Sequence, residues 1–159
     1  MIPLCVPNIS GNEGKYLAEC VSSTFVSTIG PFVVRFEKMV AEAAGTHGAV
    51  ATSAGTTALH AALVAVGVER DDLVICPSLT FIASANAISH AGATPWLFDV
   101  DPASWTLDPR LLAQELANGT ERRGGELFHI GTGRRVSAIV PVFTLGIPAD
   151  MDAIVAIAR

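Results

Sequence analysis

Ser53-Ala54-Gly55-Thr56-Thr57 is a run of small and hydroxyl-bearing residues that leads straight into an apolar, helix-like segment ending near Leu63. Between a strand and a helix, such a turn leaves backbone N–H groups without intrahelical partners. It also points the positive end of the helix dipole outward. Together these make an anion site. Gly55 lets a ligand approach the backbone closely, and Thr56 and Thr57 add hydroxyl donors. The dipole alone contributes roughly 0.3–2 kcal/mol, so several hydrogen bonds must share the binding. Ser and Thr are also ordinary helix caps, and the turn by itself leaves that reading open. Further on, "CPSLTFIASANAI" sets Phe81 just beyond the next strand, near the same edge. An aromatic beside a phosphate site can stack on a planar heteroaromatic ring, although a single Phe taken alone is more often a core residue.

Other chemistries find little support. His47, His60, His90 and His129 are scattered without a carboxylate cluster, so no metal site is expected. Cys5, Cys20 and Cys76 are odd in number and lack metal-like spacing, which fits a reducing cytoplasm better than a disulfide scaffold. Arg122-Arg123 and Arg134-Arg135 are the only basic pairs; they read as a solvated loop, not as a nucleic-acid footprint. Lys15 and Lys38 are the only lysines, and both read as surface residues.

The elements that must position the turn follow from hydrophobic period and punctuation. An extended arm leads to a helix near Asn12 to Val21. Pro31 opens a second helix whose Phe32, Phe36, Met39 and Val40 repeat at helical spacing; it runs to Ala44 and Gly45 closes it. From there the pattern alternates: strand "HGAVATS", helix to Gly67, strand "DLVICP", helix to Gly92, strand "TPWLFDVD", and a helix between Asp108 and Gly119. "ERRGGELFHIGTGRR" has no clear period and reads as a long loop or insertion. Strand "VSAIVPV" and a helix opened by Pro148 and Asp150 complete the run. Strands alternating with helices of this length predict an α/β fold with a largely parallel sheet covered on both faces.

The chain has 159 residues, a net charge of −5, 50% hydrophobic and 16% charged residues. That is more apolar and less charged than an average soluble domain, and suits either an α/β core or part of a larger protein. No apolar run reaches membrane-spanning length, and a soluble, cytoplasmic protein is expected.

The segments "VPNISGNE", "VSTIGPFVVRFE", "AVATSAGTTALHAAL", "PSLTFIASANAISHAGATPWLFDVD" and "PVFTLGIPADMDAI" occur in this order. Together they resemble the N-terminal half of the DegT/DnrJ/EryC/StrS family of pyridoxal-phosphate-dependent sugar-nucleotide aminotransferases. Within it, they are similar to the branch that aminates 4-keto sugar nucleotides on the way to legionaminic acid. The resemblance implies a fold type I aminotransferase large domain, a mixed, mostly parallel sheet between helices, here incomplete. Residues 1–30 would be arm, first helix and interface loop; residues 31–159 would be a partial cofactor-binding domain. Gly55, Thr56 and Thr57 match the cradle of the cofactor phosphate, Phe81 the ring-stacking aromatic, and Ser84 and Asn86 a supporting helix. "VSTIGP" matches a segment near the active site and the dimer interface, which makes Ser27 and Gly30 candidates there. The implied reaction moves an amino group, with glutamate as the expected donor, to a nucleotide-linked 4-keto-6-deoxy sugar in cell-surface polysaccharide or nonulosonic acid synthesis. A homodimer is the implied assembly.

That chemistry also needs a Schiff-base lysine and a carboxylate at the pyridine nitrogen. The family supplies them from an "EDAAQ"-like segment and a later lysine, neither of which matches any residue here. Asp99, Asp101, Asp150 and Asp152 do not match the carboxylate, and Asp150 reads as a helix cap. The chain is therefore expected to be truncated or split, inactive alone, and rich in exposed apolar surface. Phe143 and Ile147 stand where relatives commonly carry His, and Gly14 where a bulky residue is usual. The alternative function is a non-catalytic phosphate- or nucleotide-binding fragment that associates with a partner.

Overall fold

The computed structural model describes residues 2–3 and 6–159. Cys5, counted above among the thiols, lies outside them. The chain forms two compact units, Met1–Ala51 and Thr52–Arg159.

The first unit holds α1 (Glu13–Ser23) and α2 (Pro31–Ala44). Pro31 opens α2 at a position where its missing N–H costs nothing, and Gly45 closes it in the left-handed region at φ 66°. Between the helices, Gly30 has φ 154°, and a Cβ there would stand 3.0 Å from the Phe25 Cβ. Tyr16 and Phe32 join the helices with ring centroids 5.1 Å apart. Ala41 is the only buried residue of the two helices. Leu17, Val21, Phe25, Val34, Phe36 and Met39 remain exposed, in line with the expected apolar surface. "HGAVATS" does not form the expected strand. A strand needs a partner for its backbone, and none pairs with this segment among the described residues. Instead the Ala51 N–H donates to Glu37 Oε1 at 2.9 Å.

The second unit runs α3 (Gly55–Ala65), β1 (Leu73–Pro77), α4 (Ala83–His90), β2 (Thr94–Phe98), α5 (Pro109–Gly119), β3 (Thr120–Arg123), β4 (Glu126–His129), β5 (Val136–Ile139) and α6 (Met151–Ala158). The main sheet is parallel in the order β2-β1-β5. Central β1 is buried along its whole length, as a strand covered on both faces must be. Its side chains alternate between two cores. Val74 and Cys76 pack with Leu63 of α3 and with Ala87 and Ile88 of α4. Ile75 packs on the other face with Leu112 of α5 and Ile154 of α6. A fully buried side chain of this size contributes roughly 1.5–3 kcal/mol. Burial also pushes the Cys76 thiol pKa up.

Caps at the helix ends follow the sequence closely. Asp108 accepts from the Arg110 and Leu111 amides at 2.8 and 3.4 Å, and Asp150 accepts from the Ala153 amide at 3.1 Å. Asp108→Ala is expected to cost about 1 kcal/mol, read as a lower urea midpoint with unchanged slope. A shift below a few tenths of a kcal/mol would show that the cap is idle.

Two sequence expectations are corrected between residues 120 and 135. "ERRGGELFH" is not a structureless loop: it is an antiparallel β3–β4 hairpin with Gly124 and Gly125 at φ 61° and 91°. Two positive-φ central residues make the turn whose twist matches a hairpin, so Gly-Gly was the available signal. Nor is Arg134-Arg135 a solvated pair. Arg134 donates to the Asp71 and Asp72 carbonyls and to Thr94 Oγ1. Arg135 donates to both carboxylate oxygens of Asp72 at 3.0 and 2.6 Å, to Glu126 at 2.9 Å and to the Gly67 carbonyl at 2.9 Å. One guanidinium thus ties the hairpin, the end of α3 and the start of β1 together. Burial alone would raise the Asp72 carboxyl. The Arg135 guanidinium and the Glu69 amide outweigh it and hold Asp72 below the usual carboxylate range. Asp72, then Glu126, raise the pKa of Arg135 in turn.

Candidate functional site

The same ties decide which end of the sheet the candidate turn occupies. Gly67, just past α3, accepts from Arg135, which precedes β5. Gly92, just past α4, accepts from the Asp71 amide at 3.0 Å, and Asp71 precedes β1. Both helices therefore end at the amino end of the sheet. An 11-residue helix is about 16 Å long, close to the length of a five-residue strand. Lying antiparallel over β1, α3 and α4 must start at its carboxyl end. That is where open α/β sheets bind ligands.

Ala54 precedes α3 in extended conformation and no side chain caps the helix. The first intrahelical bond runs from the Ala58 amide to the Ala54 carbonyl at 3.0 Å. The amides of Gly55, Thr56 and Thr57 have no hydrogen-bond acceptor among the described residues. Ser53, Gly55 and Thr57 are exposed and Thr56 is half-buried. Thr52 Oγ1 donates to the Ala54 carbonyl at 3.0 Å and shapes the approach. A Cβ added at Gly55 would meet nothing within 4 Å, so the face above this backbone is open. Three unpartnered N–H groups, two hydroxyls, no nearby acidic residue in the turn and an open face fit a phosphate.

Phe81, in the loop from β1 to α4, is 79% exposed, which removes the core reading of this ring. Ser84 is buried, and its Oγ lies 2.8 Å from Thr80 Oγ1. Its hydroxyl is thus directed at a neighbouring residue. Asn86 is exposed on α4. The turn, Phe81, Ser84 and Asn86 all belong to the second unit, on two adjacent helices that start at one sheet end. Ser27 and Gly30 belong to the first unit, in the loop between α1 and α2. Sequence reasoning passed over Thr80, because its link to Ser84 carries no signature beyond an i, i+4 pair of hydroxyls. Hollows lie elsewhere, among them one of about 360 Å³ in the first unit beside Glu37, Ala41 and His47. Another of about 280 Å³ lies between β5 and the hairpin, and one of about 660 Å³ between α5 and α6; none of these includes the turn.

Lys15 lies on α1, and Lys38 on α2 beside Glu42 at 3.9 Å; both are exposed. No lysine occurs in the second unit. Among the described residues no group of three or more His, Cys, Asp or Glu could hold a metal ion. No helix among them is long and apolar enough to cross a membrane.

Residues 7–159 match the DegT/DnrJ/EryC1/StrS aminotransferase family. The chain belongs to this family. A GDP-perosamine synthase of Caulobacter vibrioides is 42% identical over 99% of the chain, which spans 38% of that relative. The aminotransferase from Psychrobacter cryohalolentis superposes with a TM-score of 0.78 at 31% identity, over 98% of this chain and 36% of the other. NtdA from Bacillus subtilis, solved with bound cofactor PMP, superposes with a TM-score of 0.71 at 27% identity, over 94% of this chain and 32% of the other. The chain thus spans about two fifths of the length of the curated DegT-family relative. The parallel sheet between helices is the expected aminotransferase fold, present in part.

Proposed function

We propose that the chain supplies the cofactor-phosphate cradle of a pyridoxal-phosphate-dependent sugar-nucleotide aminotransferase. The observation that carries this reading is the uncapped start of α3, with three amides free and Gly55 open above them. When bound, the cofactor supplies an electron sink for carbon–nitrogen bond chemistry. The chain's own residues bind and orient it. The amides of Gly55, Thr56 and Thr57 donate to phosphate oxygens, with the hydroxyls of Thr56 and Thr57 as further donors. Phe81 presents a ring face for the planar heterocycle.

The amino acceptor in this reading is a nucleotide-linked 4-keto-6-deoxy sugar, and the donor is glutamate. A relative that makes a GDP-linked amino sugar supports a sugar-nucleotide acceptor, since amination of a sugar by transfer starts from its ketone. The product would serve cell-surface polysaccharide or nonulosonic acid synthesis in the cytoplasm. A homodimer is supported by the exposed apolar residues of the first unit, Phe36 and Met39 among them. Ser27 and Gly30 remain candidates at that interface.

The test compares pyridoxamine phosphate with pyridoxamine by calorimetric titration of the full chain. The phosphate-bearing compound is expected to bind more tightly. Replacing both threonines, Thr56→Val with Thr57→Val, should weaken it about 100-fold, since each hydrogen bond to a charged group contributes roughly 1.5 kcal/mol or more. Pyridoxamine should be unaffected by that change. Phe81→Ala should weaken both compounds about 3–10-fold. Equal affinity of the unaltered chain for the two compounds would sink the cradle.

A further inference from the structure

An exposed ring can serve as a stacking platform only if its loop is held, because ordering a free loop opposes binding. Phe81 is flanked by Leu79 and Ile82, both exposed, so packing does not hold residues 79–82. Hydrogen bonds do. At one end the Ser78 amide donates to the Phe98 carbonyl at 2.7 Å, tying the loop to the end of β2. At the other end the Ser84 amide donates to the Phe81 carbonyl at 3.0 Å. Thr80 and Ser84 close this turn from the side: their hydroxyl oxygens are 2.8 Å apart, and Thr80 Oγ1 lies 3.4 Å from the Phe81 carbonyl. Ser84 keeps only 7% exposure, so water competes poorly for this bond. Ser84 itself sits on α4, whose Ala87 and Ile88 are fully buried against β1. The bond therefore anchors a surface loop to a rigid part of the core.

We propose that Thr80 and Ser84 are positioning residues for Phe81: their hydroxyl pair fixes the loop so that the ring is presented ready-made to a planar heteroaromatic ligand. This rests on the cradle reading above for the nature of the ligand. It differs from it in what it affects. The hydroxyl pair acts on the ring, so its loss weakens ligands with and without phosphate alike, whereas loss of the cradle weakens only the phosphate-bearing one.

The test uses the full chain with three changes. Thr80→Ser keeps the hydroxyl. Thr80→Val alone strands the buried Ser84 hydroxyl and is expected to destabilise the fold. The double variant, Thr80→Val with Ser84→Ala, removes both polar groups and should keep the wild-type melting midpoint. In the double variant amide exchange over residues 79–84 should rise at least tenfold, with exchange in β1 unchanged. Affinities for pyridoxamine phosphate and pyridoxamine should fall by the same factor, about 3–10-fold, and Thr80→Ser should stay within twofold of wild type. Unchanged exchange over residues 79–84 in the double variant overturns the proposal without any ligand. So does a loss confined to the phosphate-bearing compound. If the unaltered chain shows no preference for phosphate while the double variant still weakens both compounds equally, the cradle fails and the positioning role stands.

Discussion

Arg135→Ala is expected to lower the unfolding free energy by about 3 kcal/mol at neutral pH, and the melting midpoint by on the order of 10 °C. The side chain of Asp72 keeps 7% exposure and that of Arg135 22%, so removing the guanidinium strands a nearly buried carboxylate. It also releases Glu126 of β4 and the Gly67 carbonyl past α3. The remaining exposure of Arg135 places the effect at the lower end of the range for breaking a buried pair. The pH dependence follows from the direction of the Asp72 shift. Its folded pKa lies below the ordinary value of 3.8, so the pair's contribution is fully present above that pH. It fades as pH falls through the folded pKa and Asp72 takes up a proton. Urea unfolding at pH 7 and at pH 3 checks both statements: the gap between wild type and variant should be smaller at the second than at the first. A gap independent of pH would show that Arg135 acts through packing of its stem alone. Because the two residues share one interaction, the double change with Asp72→Ala should cost less than the sum of the single ones.

No amino transfer from glutamate to a 4-keto sugar nucleotide is expected from the 159 residues alone, at any concentration of pyridoxal phosphate. The proposed chemistry needs a lysine that holds the cofactor and moves a proton, a contribution of typically 100- to 10,000-fold for the proton transfer by itself. The two lysines of the chain lie on α1 and α2, outside the unit that holds the Ser53 to Thr57 turn. Lys38 is 74% exposed in its side chain and faces Glu42. Borohydride reduction in the presence of pyridoxal phosphate, followed by mass spectrometry, should give no stoichiometric label at Lys15 or Lys38. Co-expression with a C-terminal half of a family member that carries the acidic segment and the lysine should produce activity. Specific labelling of either lysine together with measurable amino transfer by the chain would overturn this expectation.

Much of the fold was legible because its signals are local. Pro31 and Gly45 bracket α2, Asp108 and Asp150 cap α5 and α6, and the apolar run from Leu73 to Cys76 reads as the buried strand it is. The Ser53 to Thr57 turn was equally legible, since small residues before a helix leave free amides wherever the helix sits. Pairing was not legible to the same degree. "HGAVATS" has the composition of a strand, yet strand formation depends on a partner elsewhere in the chain, and Glu37 takes the Ala51 amide instead. Gly124-Gly125 held the hairpin signal, but only the bonds of Arg135 to Asp72 and Glu126 show what the hairpin is fastened to. Residue type alone made Arg134 and Arg135 surface charges and Phe81 more a core residue than a platform. The sequence by itself determined helix ends, strand cores and family membership, because each rests on neighbouring residues. Tertiary structure decided which carboxylate receives the guanidinium, which hydroxyl holds the Phe81 loop and which ring stays in solvent, because those depend on groups brought together from distant parts of the chain.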